Sequence, residues 1–181
     1  MLRRLLFAFV VLLLCATVAG AQTKVTNVGQ CPKPEMQSVA VPDHPNHSFG
    51  ISHASKCNYT KPTEIGDAKA TEGHSWESNE VTGDTIRYRG VYEETYSNGE
   101  KVYYHYEGKG TLKGGAMQSA AETWSVASAT GAWKGLKGKG TCKITGNADG
   151  SGSFECEGEL MPPAAKAPTK APAKAAKKSA S

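Results

Sequence analysis

Three groups of residues have types and spacings that could do chemistry. The first is Cys31, Cys57, Cys142 and Cys156. Their spacings are unlike the paired CxxC ligands of a zinc site, and an even number of cysteines in an exported chain reads as two disulfides. Four cysteines allow three pairings, of which proximity favours Cys31–Cys57 and Cys142–Cys156. The second group is Glu93 and His105. If the strands that carry them set them opposite one another, a carboxylate would orient an imidazole, the arrangement acid–base catalysis uses. The third is Tyr88, Tyr92, Tyr104 and Tyr106, whose rings and hydroxyls could give a pocket apolar walls with a few polar anchors. His44, His47 and His53, with Asp43, lie in a Pro-containing stretch and could meet a metal at the surface; loop histidines are more often simply solvated, and neither a metal nor a cofactor is expected. Gly135-Leu136-Lys137-Gly138-Lys139-Gly140-Thr141 is not a P-loop, because Gly140 stands between Lys139 and Thr141. It reads as a coiling strand. No Gly-x-Ser-x-Gly elbow and no His-Glu-x-x-His occurs.

The elements that must position these residues are strands. Ile86, Tyr88, Tyr92 and Tyr96 share one parity, and Arg87, Arg89 and Glu93 the other. Beyond Asn98-Gly99, Val102, Tyr104, Tyr106 and Leu112 alternate with Tyr103, His105, Glu107 and Lys109. This is a hairpin. A two-residue turn would put the two apolar rows on opposite faces. A turn with one extra residue instead pairs Tyr96 with Val102, Glu94 with Tyr104, Tyr92 with Tyr106 and Ile86 with Leu112, and sets Glu93 against His105. In that register Gly90 meets Gly108 and Tyr88 meets Gly110. The tyrosine face is then the buried one, and the Glu93–His105 face is wet. In a second hairpin, Lys134–Thr145 and Ser151–Leu160 flank a turn near Asp149-Gly150. Cys142 and Cys156 stand symmetrically about Asp149, so they face each other across the strands. Further strands are expected at Ser48–Cys57, His74–Thr82 and Met117–Ala127. Trp76, Trp124 and Trp133 are expected in the core or at a barrel mouth.

About seven to eight antiparallel strands with short links and no helical crossovers imply an all-β fold. A small meander barrel is the simplest closure, with a β-sandwich as the alternative. The chain has 181 residues, enough for one domain. Residues 1–21 read as a signal peptide: Arg3-Arg4, an apolar run from Leu5 to Leu14, and the cleavage pattern Ala19-Gly20-Ala21. That run is shorter than the roughly 20 residues a spanning helix needs. Residues 22–47 read as a loop-rich segment, and 48–161 as the barrel. Residues 162–181 carry five Lys and no acid among Ala and Pro, a disordered tail able to contact a polyanion. The formal charge of +4 therefore does not describe the body, which holds all 17 acidic residues.

Ser55-Lys56-Cys57-Asn58-Tyr59-Thr60-Lys61-Pro62, Asn98-Gly99-Glu100-Lys101-Val102-Tyr103-Tyr104, Thr123-Trp124, the run Gly131–Thr141 and Glu157-Gly158-Glu159 resemble small exported bacterial proteins of uncharacterised function. Their pattern is similar to the barrels of the allene-oxide-cyclase and dirigent type. The resemblance spans about 48–161 and rests on structural glycines and turns. It implies a fold, and no cyclase catalytic residue maps onto this chain. The expected function is therefore non-enzymatic: an exported barrel holding a small apolar or amphipathic molecule against Tyr88, Tyr92, Tyr104 and Tyr106. An isomerase or cyclase acting on an oxidised lipid through Glu93 and His105 is one alternative. An envelope protein docking through its basic tail is the other. No specific nucleic-acid partner and no membrane span in the mature chain are expected.

Overall fold

In the computed structural model, which describes residues 22–163, ten strands account for most of the chain. They are β1 (Thr23–Cys31), β2 (Glu35–Ala40), β3 (His47–Lys61), β4 (Glu64–Ile65), β5 (Ala68–Thr82), β6 (Thr85–Tyr96), β7 (Lys101–Lys113), β8 (Ala116–Ala129), β9 (Lys137–Gly146) and β10 (Gly152–Met161). Strands β5 to β10 form an antiparallel meander. β10 pairs with β1, β1 with the C-terminal end of β3, and the N-terminal part of β3 with β5. Eight strands thus close a hydrogen-bonded, barrel-like ring, with β2 and β4 outside it on the edges of β3 and β5. Closure leaves one sheet facing itself rather than two facing sheets, and a ring buries its own edges.

The even-numbered residues of β6 and β7 point inward. Ile86, Tyr88, Glu94, Tyr96, Val102 and Tyr104 are buried, while Arg87, Arg89, His105, Glu107 and Lys109 are exposed. The register differs from the expected one by two residues. Tyr92 faces Tyr104, Glu94 faces Val102, Tyr88 faces Gly108, Gly90 faces Tyr106 and Ile86 faces Gly110. The turn explains the shift. Ser97-Asn98-Gly99 forms the loop, with Gly99 at φ 81°, and the Tyr96 amide donates to the Glu100 carbonyl. The extra residue is there, but the loop begins one residue earlier. A shift of two preserves parity, so the faces survive and only the partners change.

Residues 22–47 are not loop-rich, since β1 and β2 lie there. β1 carries few apolar residues because it contributes only one face, and β2 is exposed along its whole length. In the second hairpin the register about Asp149 is the expected one, with Cys142 opposite Cys156. Two apolar clusters pack inside the ring. One gathers Tyr96, Val102, Tyr104, Leu136 and Leu160; the other gathers Ile86, Tyr88 and Ala120. The signal-peptide segment and residues 164–181 of the tail lie outside the described residues.

Candidate functional site: an acidic, aromatic interior cavity

Register lines the ring interior with successive belts of side chains. One belt runs Asn79, Tyr88, Gly108, Glu122, Cys142, Cys156 and Asn27 across β5, β6, β7, β8, β9, β10 and β1. The next runs Glu77, Gly90, Tyr106, Trp124, Gly140, Gly158 and Val25 across the same strands. Trp124 lies across β9 and β10, and a Cβ on Gly140 or Gly158 would overlap its ring. Gly140, from the glycine-rich run that mimics a phosphate loop, is therefore part of the bed for an indole, together with Gly158 of β10.

Between the two clusters lies a cavity of about 200 Å³. Tyr88, Tyr92, Tyr104 and Tyr106 all line it, as do Trp124, Ile144 and Phe154. Tyr104 packs edge-to-face on Trp124, with ring centroids 5.4 Å apart. Three carboxyls also face it, Glu77, Glu94 and Glu122. Among the described residues that line it there is no Lys, Arg or His.

The three acids are held differently. Glu94 is 1% exposed. Its Oε1 accepts from Asn27 Nδ2 at 2.8 Å and Thr63 Oγ1 at 3.2 Å; its Oε2 accepts from Tyr96 at 2.6 Å and Tyr104 at 2.9 Å. Burial pushes its pKa up, and these donors oppose the rise. Such a saturated carboxyl is a structural hub. Glu77 has longer contacts, from Ser52 at 3.3 Å and from Asn79 and Tyr106 at 3.4 Å; burial raises its pKa too. Glu122 is pushed up to about 7. Burial is the main cause, favourable interaction with Tyr88 opposes it, and the charge of Glu77 adds to it. The Tyr88 hydroxyl is buried beside Glu122, and the two stop short of a full hydrogen bond. The tyrosine hydroxyls around the cavity are all raised by burial first, and none of them ionises near neutral pH. The interior thus offers aromatic walls, one saturated acid and an acid that exchanges its proton near neutrality.

Both disulfides form as paired by proximity, Cys31–Cys57 and Cys142–Cys156. The second lies beside Glu122, whose carboxylate oxygen is within 4.8 Å of both sulfurs.

Glu93 and His105 do not form a pair. His105 is exposed opposite Val91, whereas Glu93 stands opposite Tyr103 and accepts from Lys101 Nζ at 2.6 Å. Burial raises the Glu93 pKa, but Lys101 and Tyr103 outweigh it and hold the carboxyl below its ordinary value. The two-residue register shift separates the pair, and both residues sit on the outer face. His44 and His47 are neighbours, with ring centroids 6.2 Å apart, and share a surface pocket with Asp43, but His53 lies elsewhere and among the described residues these four form no metal-ligand cluster. His47 Nε2 is 2.8 Å from Glu80 Oε1, and His53 stacks on Trp76 at 5.3 Å between centroids. Trp76, expected in the core or at a barrel mouth, lies on the outer face at 45% exposure.

The sequence reading missed Glu77, Glu94 and Glu122. For Glu94 and Glu122 the signal was parity: Glu94 lies between Tyr92 and Tyr96, and Glu122 precedes Trp124 by two. For Glu77 the pattern misleads, because β5 turns Gly73, Ser75, Glu77 and Asn79 inward and Trp76 outward.

The chain is thus a closed antiparallel ring around an amphipathic cavity. No protein-family model matches it, and no curated protein does. Among solved structures it is similar to two pterocarpan synthase dirigent proteins. PsPTS1 shares 14% identity over 79% of this chain and 96% of that one, at a TM-score of 0.46. GePTS1 shares 14% over 78% and 90%, at 0.48.

Proposed function

We propose that this protein is an exported binding module that holds a small amphipathic molecule, about one ring in size, inside its barrel. The observation that carries this is the cavity itself: about 200 Å³, walled by Tyr88, Tyr92, Tyr104, Tyr106 and Trp124, with polar groups on the same walls. An apolar cavity of roughly 150 Å³ takes a benzene molecule, while drug-sized ligands use about 300–1,000 Å³. The size therefore favours a single substituted ring or a short chain. Two disulfides fit an oxidising compartment. Among the described residues no helix is long and apolar enough to cross a membrane.

Native mass spectrometry of the protein purified from its own host tests the reading. A bound small molecule is expected in the wild type and is lost in Ile144→Trp, which fills the cavity. A wild type that is ligand-free under conditions preserving non-covalent complexes overturns it. Export predicts a mature chain that begins at Gln22, which N-terminal sequencing reads directly.

A further inference from the structure

The cavity wall is electrically one-sided. Glu77 and Glu122 both face the space, and each acts on Tyr88 and Tyr106. Glu94 is already satisfied by four donors, but Glu77 has only long contacts. Tyr88 is 6% exposed and lines the cavity, and its hydroxyl stands beside Glu122 without completing a hydrogen bond. A buried polar atom of that kind costs about 1–3 kcal/mol unless something satisfies it. Buried carboxyls without a cation likewise lack the partner that buried charges ordinarily have. Aromatic faces stand around the same space, and π-faces attract cations.

Resting on the lumen-binding reading above, we infer that the ligand is a small organic cation, a primary ammonium on a one-ring apolar body, with its nitrogen among Glu122, Glu77 and Tyr88 and its ring against Tyr106 and Trp124. The ammonium supplies up to three donors. Two go to the carboxylates. The third goes to the Tyr88 oxygen, which accepts through a lone pair. The ligand brings the positive charge that no residue of the wall provides.

The groups facing Glu122 from neighbouring strands are Glu77 on β5, Tyr88 and Tyr92 on β6 and Tyr106 on β7, with the Cys142–Cys156 disulfide on β9 and β10. Burial raises the hydroxyls of all three tyrosines, so the affinity for a cation should rise as Glu122 loses its proton near pH 7.

Calorimetric titration with phenethylamine, 2-phenylethanol and ethylbenzene tests the inference. Phenethylamine is expected to bind at least tenfold more tightly than 2-phenylethanol at pH 8. That preference should shrink several-fold at pH 6 and be lost in Glu122→Gln. Equal binding of the amine and the alcohol at pH 8 overturns the cation inference and leaves the lumen reading standing. Silence of all three probes overturns both. If Glu122→Gln fails to fold, the wild-type pH profile decides: a preference constant from pH 6 to 8 sinks the assignment.

Discussion

Glu122 shows how one buried acid is visible in the stability of the fold. Its pKa is raised from an ordinary 4.5 to about 7, chiefly by burial. Between those values the native state holds a proton that the unfolded chain has released. Stability must therefore fall as pH rises from about 4.5 to about 7 and level off above. At about 1.4 kcal/mol per pH unit the fall is worth up to about 3 kcal/mol. Glu77 and Glu94 are shifted the same way and add to it. Glu93 and Asp149 are held below their ordinary values, so their stabilisation is lost only under more acidic conditions. Urea unfolding is expected to give a higher midpoint at pH 5 than at pH 8. Glu122→Gln should raise the pH 8 midpoint and flatten the dependence. A variant whose slope matches the wild type would remove Glu122 from the cause.

At the scale of the element, a strand's neighbours decide what its residues are for. Gly140 on β9 and Gly158 on β10 face each other under Trp124. Gly140→Ala should cost about 1–3 kcal/mol through overpacking. The same substitution in a Trp124→Leu background should cost less, because the ring is gone, but it keeps a cost because the Glu157 backbone carbonyl is nearer still to the new methyl group. A double-mutant cycle by chemical denaturation measures the difference, and additive costs would separate the glycine from the indole. Parity made the faces of β6, β7, β9 and β10 legible in the sequence, since apolar residues alternate with polar ones along most of each, Val91 and Glu94 of β6 being the exceptions. It cannot choose among registers two residues apart, because they bury the same set, so it leaves Glu93 as free to face His105 as to face Tyr103, its partner in the structure. In β1 and β5 the inner rows are polar or glycine-rich, so period-two hydrophobicity is weak or inverted. The acids of the cavity stayed hidden for a related reason. A carboxyl in an inward row reads as an exception to burial until its donors are seen, as with the four on Glu94.

For the molecule as a whole, the weak point of the ring is the seam where the chain's beginning meets its middle. β9 and β10 are paired at ten positions from Gly152–Gly146 to Met161–Lys137. β1 and β3 are paired only at Val28–Lys61, Gly29–Tyr59 and Gln30–Asn58, with an irregularity after Val28. Cys31–Cys57 sits at that seam, with Cys57 fully buried. Cys142–Cys156 spans a hairpin that its own ladder already holds. Each bridge should be worth about 2–5 kcal/mol when removed, but the two losses should differ in kind. Without Cys31–Cys57 the ring can open locally at β1–β3. Hydrogen exchange of the amides at Val28, Gly29 and Gln30 is then expected to accelerate far more in Cys31→Ala/Cys57→Ala than in Cys142→Ala/Cys156→Ala. The amides of β9 should stay protected in both. Opening at this seam would also breach the cavity wall, since Val25, Asn27 and Cys31 of β1 line it. Ligand dissociation should therefore quicken in the first variant even where the residual stability of the two variants is matched by temperature. Equal protection of the β1 amides in both variants would mean that the ring is held by its interior packing and that the N-terminal disulfide is dispensable to closure.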